Sequence, residues 1–572
     1  MKRNIKTILN GTVMCAVAMG FASSCDYLET RPTQDYYEEE ILDDVSRAQS
    51  VLYYAYNGLS NTPNIGFDYY SDNAIRNNTT YDQMYSGWTS EYSPNSGTWN
   101  ASISKINHIN LYLEECFDLP YDMNSEEYSA QTKKRMRGEA FGLRAYYQWL
   151  LLNNFAGPSK SDPNKFLSFP ILKRTFRDVD TRTIPRASYM DGFNRIMSDI
   201  DSAYTYIEFM RYDGSNTWND NKNIGRISRE MLLALKSRVY LFAASDAYKQ
   251  VSWEEAAQVA YDAIMTINEG ELKNLSKFNR RYNNTLDQDF LWRSSHANDG
   301  NLQGSHYPIS QWGNGECNPT EDVVLAFPDT MGFPLEESLV YDANNPYKQR
   351  DPRFEQFIFY PGQNKFRSFY VHSYEGGDDL CGGIKTYGTR TGYFMKRLLS
   401  DVVDKTPRTK KPTKDYRFNV FFSKKMLYLD FAEAAIEAYG VAAKGGAMTF
   451  SAVDALEKVR ERFGLTASTD LYLRPVAAKD FTKLKSLVRN ERRLGNLFEG
   501  ERLYDMMRWK LPASQMIKAD GIKVTKVDEN TFTYSEPVTI AEKHFEDRMY
   551  YFPIPRAETL RPGVIEQNAG WE

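Results

Sequence analysis

From Lys133 to Phe155, the residues Met136, Ala140, Leu143, Tyr147 and Leu150 recur at steps of four and three, the spacing of one helical face. Phe141, Ala145, Trp149 and Leu152 make a second apolar stripe. A helix that is apolar on two sides must be packed between neighbours, and Gly157 with Pro158 ends it. Two further segments read as helical hairpins. In Ser228 to Asn268, Leu232, Leu235, Val239 and Phe242 mark the first helix and Ala256, Val259, Ala263 and Ile267 the second. In Ser423 to Gly464 the positions are Leu427, Phe431, Ala434 and Ala438, then Val453, Leu456, Val459 and Phe463, across a turn at Gly445 and Gly446. Each hairpin is about 40 residues long with Ala at close-packing positions, similar to a tetratricopeptide unit but without its full consensus. Helices are also predicted from about Asp43 to Leu59, Thr98 to Phe117, Ser188 to Met210 and Thr482 to Trp509.

Between these blocks, Asn61 to Gly97 and Lys277 to Asp415 lose helical periodicity and fill with Gly, Asn, Pro and aromatic residues. Irregular stretches this long in a packed protein tend to be functional. The expected fold is therefore mainly α, with tetratricopeptide-like helical hairpins supporting a loop-rich, irregular ligand-binding half that has short strands. The helical scaffold is assigned to residues 43–60, 98–268 and 416–572, and the loop-rich segments to 61–97 and 277–415.

The amino terminus has its own pattern: Lys2, Arg3 and Lys6, an apolar run from Gly11 to Phe21, then Ala22, Ser23 and Ser24 before Cys25. That is an export signal over residues 1–24, too short to span a membrane stably. A thiol directly after small residues is what a lipoprotein signal peptidase requires, so Cys25 is the expected lipidation site. Cys15 is a poor rival because Met14 is too large for the residue before the cut. Several acyl chains, at about 0.8 kcal/mol per buried methylene, would tether residues 25–572 to a membrane surface.

Composition narrows the function. A net charge of −5 argues against a nucleic-acid partner. Beyond Cys25 only Cys116, Cys317 and Cys381 remain, enough for one disulfide at most. There are five histidines and no HExxH, no paired Cys-x-x-Cys, no GxSxG and no phosphate-cradling Gly-rich loop. Calcium is conceivable at the Asp-rich turn from Gly376 to Asp379, although EF-hand spacing is absent; no metal site is assigned and no cofactor is expected. The 75 acidic residues make some close carboxylate pairs inevitable, but a hydrolytic pair is defined by a separation that sequence does not give. The cluster Arg489, Glu491, Arg492, Arg493, Glu499, Glu501, Arg502 and Arg508 reads as a structural ion network, with Glu499 and Arg502 able to pair along one helix.

The unusual quantity is aromatic content, 14% of the chain with 40 Tyr, 32 Phe and 9 Trp. A sugar ring can lay its C–H face on an indole or phenol while Asn, Asp or Arg meets its hydroxyls. The first loop offers Asp72, Arg76, Asn77, Asn78, Tyr85, Trp88 and Tyr92; the second offers Trp292, His296, Tyr307, Trp312 and Asn314. Of these, Trp88, Tyr85, Trp292, Trp312, Tyr307, Asp72, Arg76, Asn77 and Asn78 are the leading ligand-binding candidates. Trp99, which opens a predicted helix, is expected to pack inward as a staple.

Several segments, in order, resemble the SusD/RagB family. They are GEAFGLRAYYQWLLLNNFAG (Gly138 to Gly157), SREMLLALKSRVYLFAA, MLYLDFAEAAIEAYG, ALEKVRERFGL (Ala455 to Leu465), VRNERRLGNLFEGERLYDMMRW (Val488 to Trp509), YFPIPRAE (Tyr551 to Glu558) and QNAGW (Gln567 to Trp571). One departure is Ala569, where the family more often has Pro. The resemblance implies a lipid-anchored, surface-exposed outer-membrane protein that sits as a lid on a SusC-like TonB-dependent transporter. It implies capture of an oligosaccharide, or in some members a peptide, without cleavage. A peptide-binding role is the alternative reading and a surface glycosidase the more remote one.

Overall fold

Small oxygen-bearing side chains set where the long helices begin. Ser125, Ser188, Ser228, Ser252, Ser423 and Ser451 each accept a hydrogen bond from the backbone N–H three residues on, and Asp480 accepts from Thr482 and Lys483. Each such cap contributes about 1 kcal/mol. The computed structural model describes residues 45–78, 86–116, 125–176, 183–214, 221–279, 281, 284, 287–363, 366, 369–382, 387–406, 413–560 and 565–572. The export signal, Cys25 and Tyr85 lie outside the described residues.

The helices run α1 (Val45–Tyr56), α2 (Ser96–Leu111), α3 (Glu126–Phe155), α4 (Tyr189–Tyr206), α5 (Arg229–Ala244) and α6 (Trp253–Ile267). Three short ones follow, α7 (Asn301–His306), α8 (Glu321–Ala326) and α9 (Pro352–Phe357). The scaffold then resumes with α10 (Lys424–Tyr439), α11 (Ala452–Arg462), α12 (Phe481–Gly495), α13 (Arg502–Arg508) and α14 (Arg556–Thr559). Helix α3 packs against α1, α2, α4 and α5, as its two apolar stripes require. Its contact is close enough that a Cβ on Gly142 would fall 2.5 Å from Ile227 Cγ2. The two predicted hairpins, α5–α6 and α10–α11, meet through α10, which packs on α6, α11, α12 and α5.

Strands pair in two-stranded antiparallel ladders. They are β1 (Ala74–Arg76) with β6 (Cys317–Pro319), β2 (Gly157–Pro158) with β3 (Phe166–Leu167), and β4 (Phe290–Arg293) with β10 (Val420–Ser423). Next come β5 (Ala297–Asp299) with β9 (Asp415–Arg417) and β7 (Ile358–Phe359) with β8 (Phe394–Met395). Finally, β11 (Lys518–Gly521) pairs with β14 (Val538–Glu542) and β12 (Val524–Lys526) with β13 (Phe532–Tyr534). The last two ladders place strands inside residues 416–572, the segment assigned to the helical scaffold. Val524, Thr525, Phe532, Thr533, Tyr534, Val538, Thr539 and Ile540 are β-branched or aromatic and suit a pleated surface.

The helix expected from Thr482 to Trp509 is also divided. Between α12 and α13, Phe498 and Gly500 take positive φ, and the Gly500 N–H donates to buried Asp68 at 3.0 Å. Glu499 therefore stands outside the helix and pairs with Arg397 and Lys425, not with Arg502. The network reading of the surrounding charges holds, but the network is buried. Arg353 joins Asp351 and Glu491, Arg460 joins Glu491 and Asp470, Arg492 joins Asp430 and Asp505, and Arg508 joins Glu433.

The C-terminal QNAGW segment closes the chain onto the end of α3. Asn568 Nδ2 donates to the carbonyls of Phe155 at 3.0 Å and Phe552 at 2.7 Å, and Trp571 Nε1 donates to Tyr551 at 2.9 Å. The Ala569 N–H donates to the Pro158 carbonyl at 2.8 Å, a bond that proline at this position would forgo.

Candidate functional site

The two irregular segments are joined by β1 and β6, whose register sets Arg76 opposite Cys317. The pairing runs on past the strands: the Asn77 N–H donates to the Glu316 carbonyl at 3.2 Å, and Asn77 Nδ2 donates to the Asn314 carbonyl at 2.6 Å. A third segment is laced to this ladder, since the Arg390 N–H donates to Asn318 Oδ1 at 3.0 Å. A fourth tie comes from Asp379, whose carboxylate accepts from the Ser310 N–H and hydroxyl and from the His372 N–H at 2.8–2.9 Å.

These connections enclose an open cleft of about 520 Å³, lined by Arg76, Asn77, Asn78, Ile309, Gly313, Asn314, Glu316 and Tyr387. That is a size suited to a small ligand. Trp312 precedes Gly313 in the same turn and is 55% exposed, and Tyr387 is 56% exposed. The turn is tight: Trp312 has φ of 63°, and a Cβ on Gly313 would fall 2.3 Å from the Tyr307 carbonyl oxygen. The backbone can make this bend only where a side chain is absent.

The cleft's charged groups are not spent on one another. Most buried arginines here face carboxylates, but Arg76 is exposed, lies 4.9 Å over the Tyr69 ring, and makes no ion pair among the described residues. Glu316 likewise makes none. Close behind lies His306, buried with Nδ1 unpartnered; burial, aided by the Arg76 charge, pushes its pKa down to about 3. Its imidazole is therefore neutral near pH 7.

Of the sequence-predicted candidates, Arg76, Asn77, Asn78 and Asn314 converge on the cleft, with Trp312 beside it. Four leading candidates are corrected to interior roles. Trp88 is 3% exposed, stacked on Phe552 at 4.8 Å with Tyr70 and Phe545 edge-on. Trp292 is 2% exposed, wedged against Tyr146 and Phe421 with Nε1 donating to the Gly225 carbonyl at 2.8 Å. Tyr307 is fully buried, its hydroxyl directed at the Ser400 and Val403 carbonyls. Asp72 is buried in contact with Arg502 and Arg493. Burial alone would raise the Asp72 pKa, but those two guanidiniums overcome it and hold it at about 2.

Other sequence readings are resolved as well. Trp99 packs inward, edge-on to Phe155. Tyr92 is exposed, and His296, also exposed, meets Tyr416 edge-on at 5.0 Å away from the cleft lining. Sequence reasoning missed Glu316 and Tyr387. The signal for Tyr387 was present in its Gly/Thr-rich surroundings, GGIKTYGTRTG, where an aromatic has few apolar neighbours along the chain. Cys116 and Cys317 are buried free thiols.

Residues 277–571 match the family model of the SusD family, and residues 26–241 match a family model described as starch-binding associating with outer membrane. The fold is similar to that of a SusD-like protein from Bacteroides fragilis, with TM-score 0.73, 20% identity, and coverage of 94% of this chain and 99% of that one. A SusD-like carbohydrate binding protein from the same species gives 0.68 and 18%, covering 92% and 99% of the two chains. Surface glycan-binding protein A from Bacteroides fluxus gives 0.60 and 18%, covering 92% and 100%. No curated protein sequence matches the chain. With one family model spanning more than half its length and the whole mainly helical fold shared, this chain belongs to the SusD family.

Proposed function

We propose that this chain is a cell-surface glycan-binding lipoprotein that captures oligosaccharide in the cleft between β1, β6 and Tyr387. In this reading acylated Cys25 anchors it in the outer membrane, and the captured glycan passes to a SusC-like TonB-dependent transporter. The observation that carries the reading is the half-exposed Tyr387 ring in a cleft lined by Arg76, Asn78, Asn314 and Glu316, with half-exposed Trp312 in the turn next to lining residue Gly313. Arg76 is a rigid fork of donors and Glu316 a pair of acceptors. Each suits two neighbouring hydroxyls of a sugar, while the rings suit its C–H face. Together a cation and an anion leave no strong preference for a charged ligand. The described lining holds one carboxylate, Glu316, whereas glycoside hydrolysis ordinarily uses two flanking the bond; this supports binding without cleavage.

The test is isothermal titration of the soluble chain from residue 25, with Cys25→Ser, against a panel of oligosaccharides and peptides. An aromatic anchor contributes on the order of 2 kcal/mol, so Trp312→Ala and Tyr387→Ala are each expected to weaken saccharide binding about thirtyfold. Peptide binding alone, or saccharide binding unchanged in both variants, would defeat the reading.

A further inference from the structure

Trp312 and Tyr387 stand on two segments far apart in sequence, and one residue is bonded to both segments. Asp379 is fully buried and does not line the cleft. Its Oδ1 accepts from the Ser310 N–H at 2.8 Å and its Oδ2 from the Ser310 hydroxyl at 2.9 Å, two residues before Trp312. Its backbone carbonyl accepts from the Thr389 N–H at 2.7 Å, two residues after Tyr387. Oδ2 also accepts from the His372 N–H at 2.9 Å, and the Asp379 N–H donates back to the His372 carbonyl at 3.2 Å. The side chain thus holds one aromatic arm and the backbone the other.

The junction is closely packed. A Cβ on Gly388, the residue next to Tyr387, would fall 2.5 Å from the Asp379 carbonyl oxygen. Beyond Trp312, fully buried Asn318 makes a second tie between the same arms: its Nδ2 donates to the Gly315 carbonyl at 2.9 Å and its Oδ1 accepts from the Arg390 N–H at 3.0 Å. Hydrogen bonds to a carboxylate are roughly twice as strong as neutral ones, so Asp379 is the firmer of the two ties. An exposed ring adds most to affinity when it is already held where the sugar will meet it; a ring that must be ordered on binding adds less.

We propose that Asp379, assisted by Asn318, is a positioning residue: it sets the separation of the Trp312 and Tyr387 rings and, through it, the affinity of the cleft for glycan. This deepens the saccharide-binding reading of that cleft and rests on it.

The test is a double-variant cycle on the soluble chain from residue 25 with Cys25→Ser. The probe is whichever of maltohexaose, cellohexaose, laminarihexaose, xylohexaose and mannohexaose binds that chain most tightly in titration calorimetry. Asp379→Ala, which keeps the backbone bond to Thr389, is expected to weaken binding about tenfold, a large part of the thirtyfold assigned to loss of the Trp312 ring itself. In a Trp312→Ala background the same change is expected to weaken binding less than about twofold, because the ring it positions is gone. Asp379→Asn keeps an oxygen for the Ser310 N–H and can turn its amide donor to the Ser310 hydroxyl, so it is expected to bind within about threefold of the parent chain. Fluorotryptophan labelling gives an independent signature. The fluorine resonance of Trp312, identified by its loss in Trp312→Ala, is expected to shift in Asp379→Ala while those of the other tryptophans stay in place. If circular dichroism shows Asp379→Ala unfolded, Ser310→Ala decides: it removes one of the two bonds and is expected to weaken binding about threefold, again only while Trp312 is present. Saccharide binding that these changes leave intact, or weaken equally in both backgrounds, overturns the proposal and leaves the saccharide reading standing. Failure of that reading looks different, as no probe bound or no loss from Trp312→Ala and Tyr387→Ala, and the proposal falls with it.

Discussion

Asp72 distinguishes a ligand contact from a structural one, and Asp72→Asn is the change that separates them. Its carboxylate accepts from Arg502 Nε at 2.8 Å and Nη2 at 2.6 Å, and lies 3.2 Å from Arg493 Nη2. Burial opposes the charge, yet the two arginines hold the pKa at about 2 against an ordinary 3.8. That difference corresponds to roughly 2.5 kcal/mol of stabilisation at neutral pH. Because the folded value lies below the unfolded one, the stabilisation is fully present above about pH 4 and is lost as the pH falls toward about 2. Asparagine preserves the shape but takes from part-buried Arg502 its only carboxylate among the described residues and leaves Arg493 with Asp322 alone, so the expected loss at pH 7 is about 3 kcal/mol. Urea denaturation read by tryptophan fluorescence should show this gap, narrowing as the pH drops below about 4. The variant that remains folded should bind saccharide within about threefold of wild type, because Asp72 is walled off behind β1. An Asp72→Asn protein with wild-type stability and lost binding would refute the assignment and return Asp72 to the ligand site.

Further outcomes follow from the same packing. Trp88→Ala should destabilise by about 3–5 kcal/mol through the cavity it leaves between Phe552, Tyr70 and Phe545, whereas exposed Trp312→Ala should change stability by less than about 0.5 kcal/mol; thermal denaturation of the two variants side by side checks the contrast. Glu491→Gln removes the carboxylate shared by fully buried Arg353 and Arg460, and a loss of about 3–5 kcal/mol in urea denaturation is expected. His306 is neutral when folded, with its pKa at about 3 against 6.5. Its contribution is thus present above pH 6.5 and falls by about 1.4 kcal/mol per pH unit below it. His306→Gln should flatten the decline in melting temperature from pH 6.5 to 5, and an unchanged slope would count against a buried neutral imidazole.

How much of this was legible in the sequence depends on how local the determinants are. Helix α3 and the two hairpins were readable because their apolar positions repeat every turn and a capping Ser stands just before each start. The break between α12 and α13 was not, because it is made by Asp68, which reaches the Gly500 N–H from the other end of the chain. The terminal ladders were overlooked for a related reason: each strand is only three to five residues long, too short for alternation to stand out against the surrounding helical pattern.

The site divides along the same line. The candidate cleft is built from the two segments that loop composition singles out, where the β1–β6 pairing brings Arg76, Asn77, Asn78 and Asn314 together. Which tryptophan faces outward was a different question. Trp292 sits in FLWR and Trp312 in SQWGNG, so a rule that apolar neighbours mean burial and polar ones exposure would have sorted that pair. The same rule fails at Trp88, whose neighbours SG and TS are as polar as those of Trp312. Trp88 is buried because Phe545 and Phe552 arrive from the C-terminal segment and close over it. Nothing near residue 88 encodes their arrival. An indole in a loop is thus committed to core or ligand by whichever distant segment docks there, and here that segment is the one whose QNAGW ending is pinned to α3.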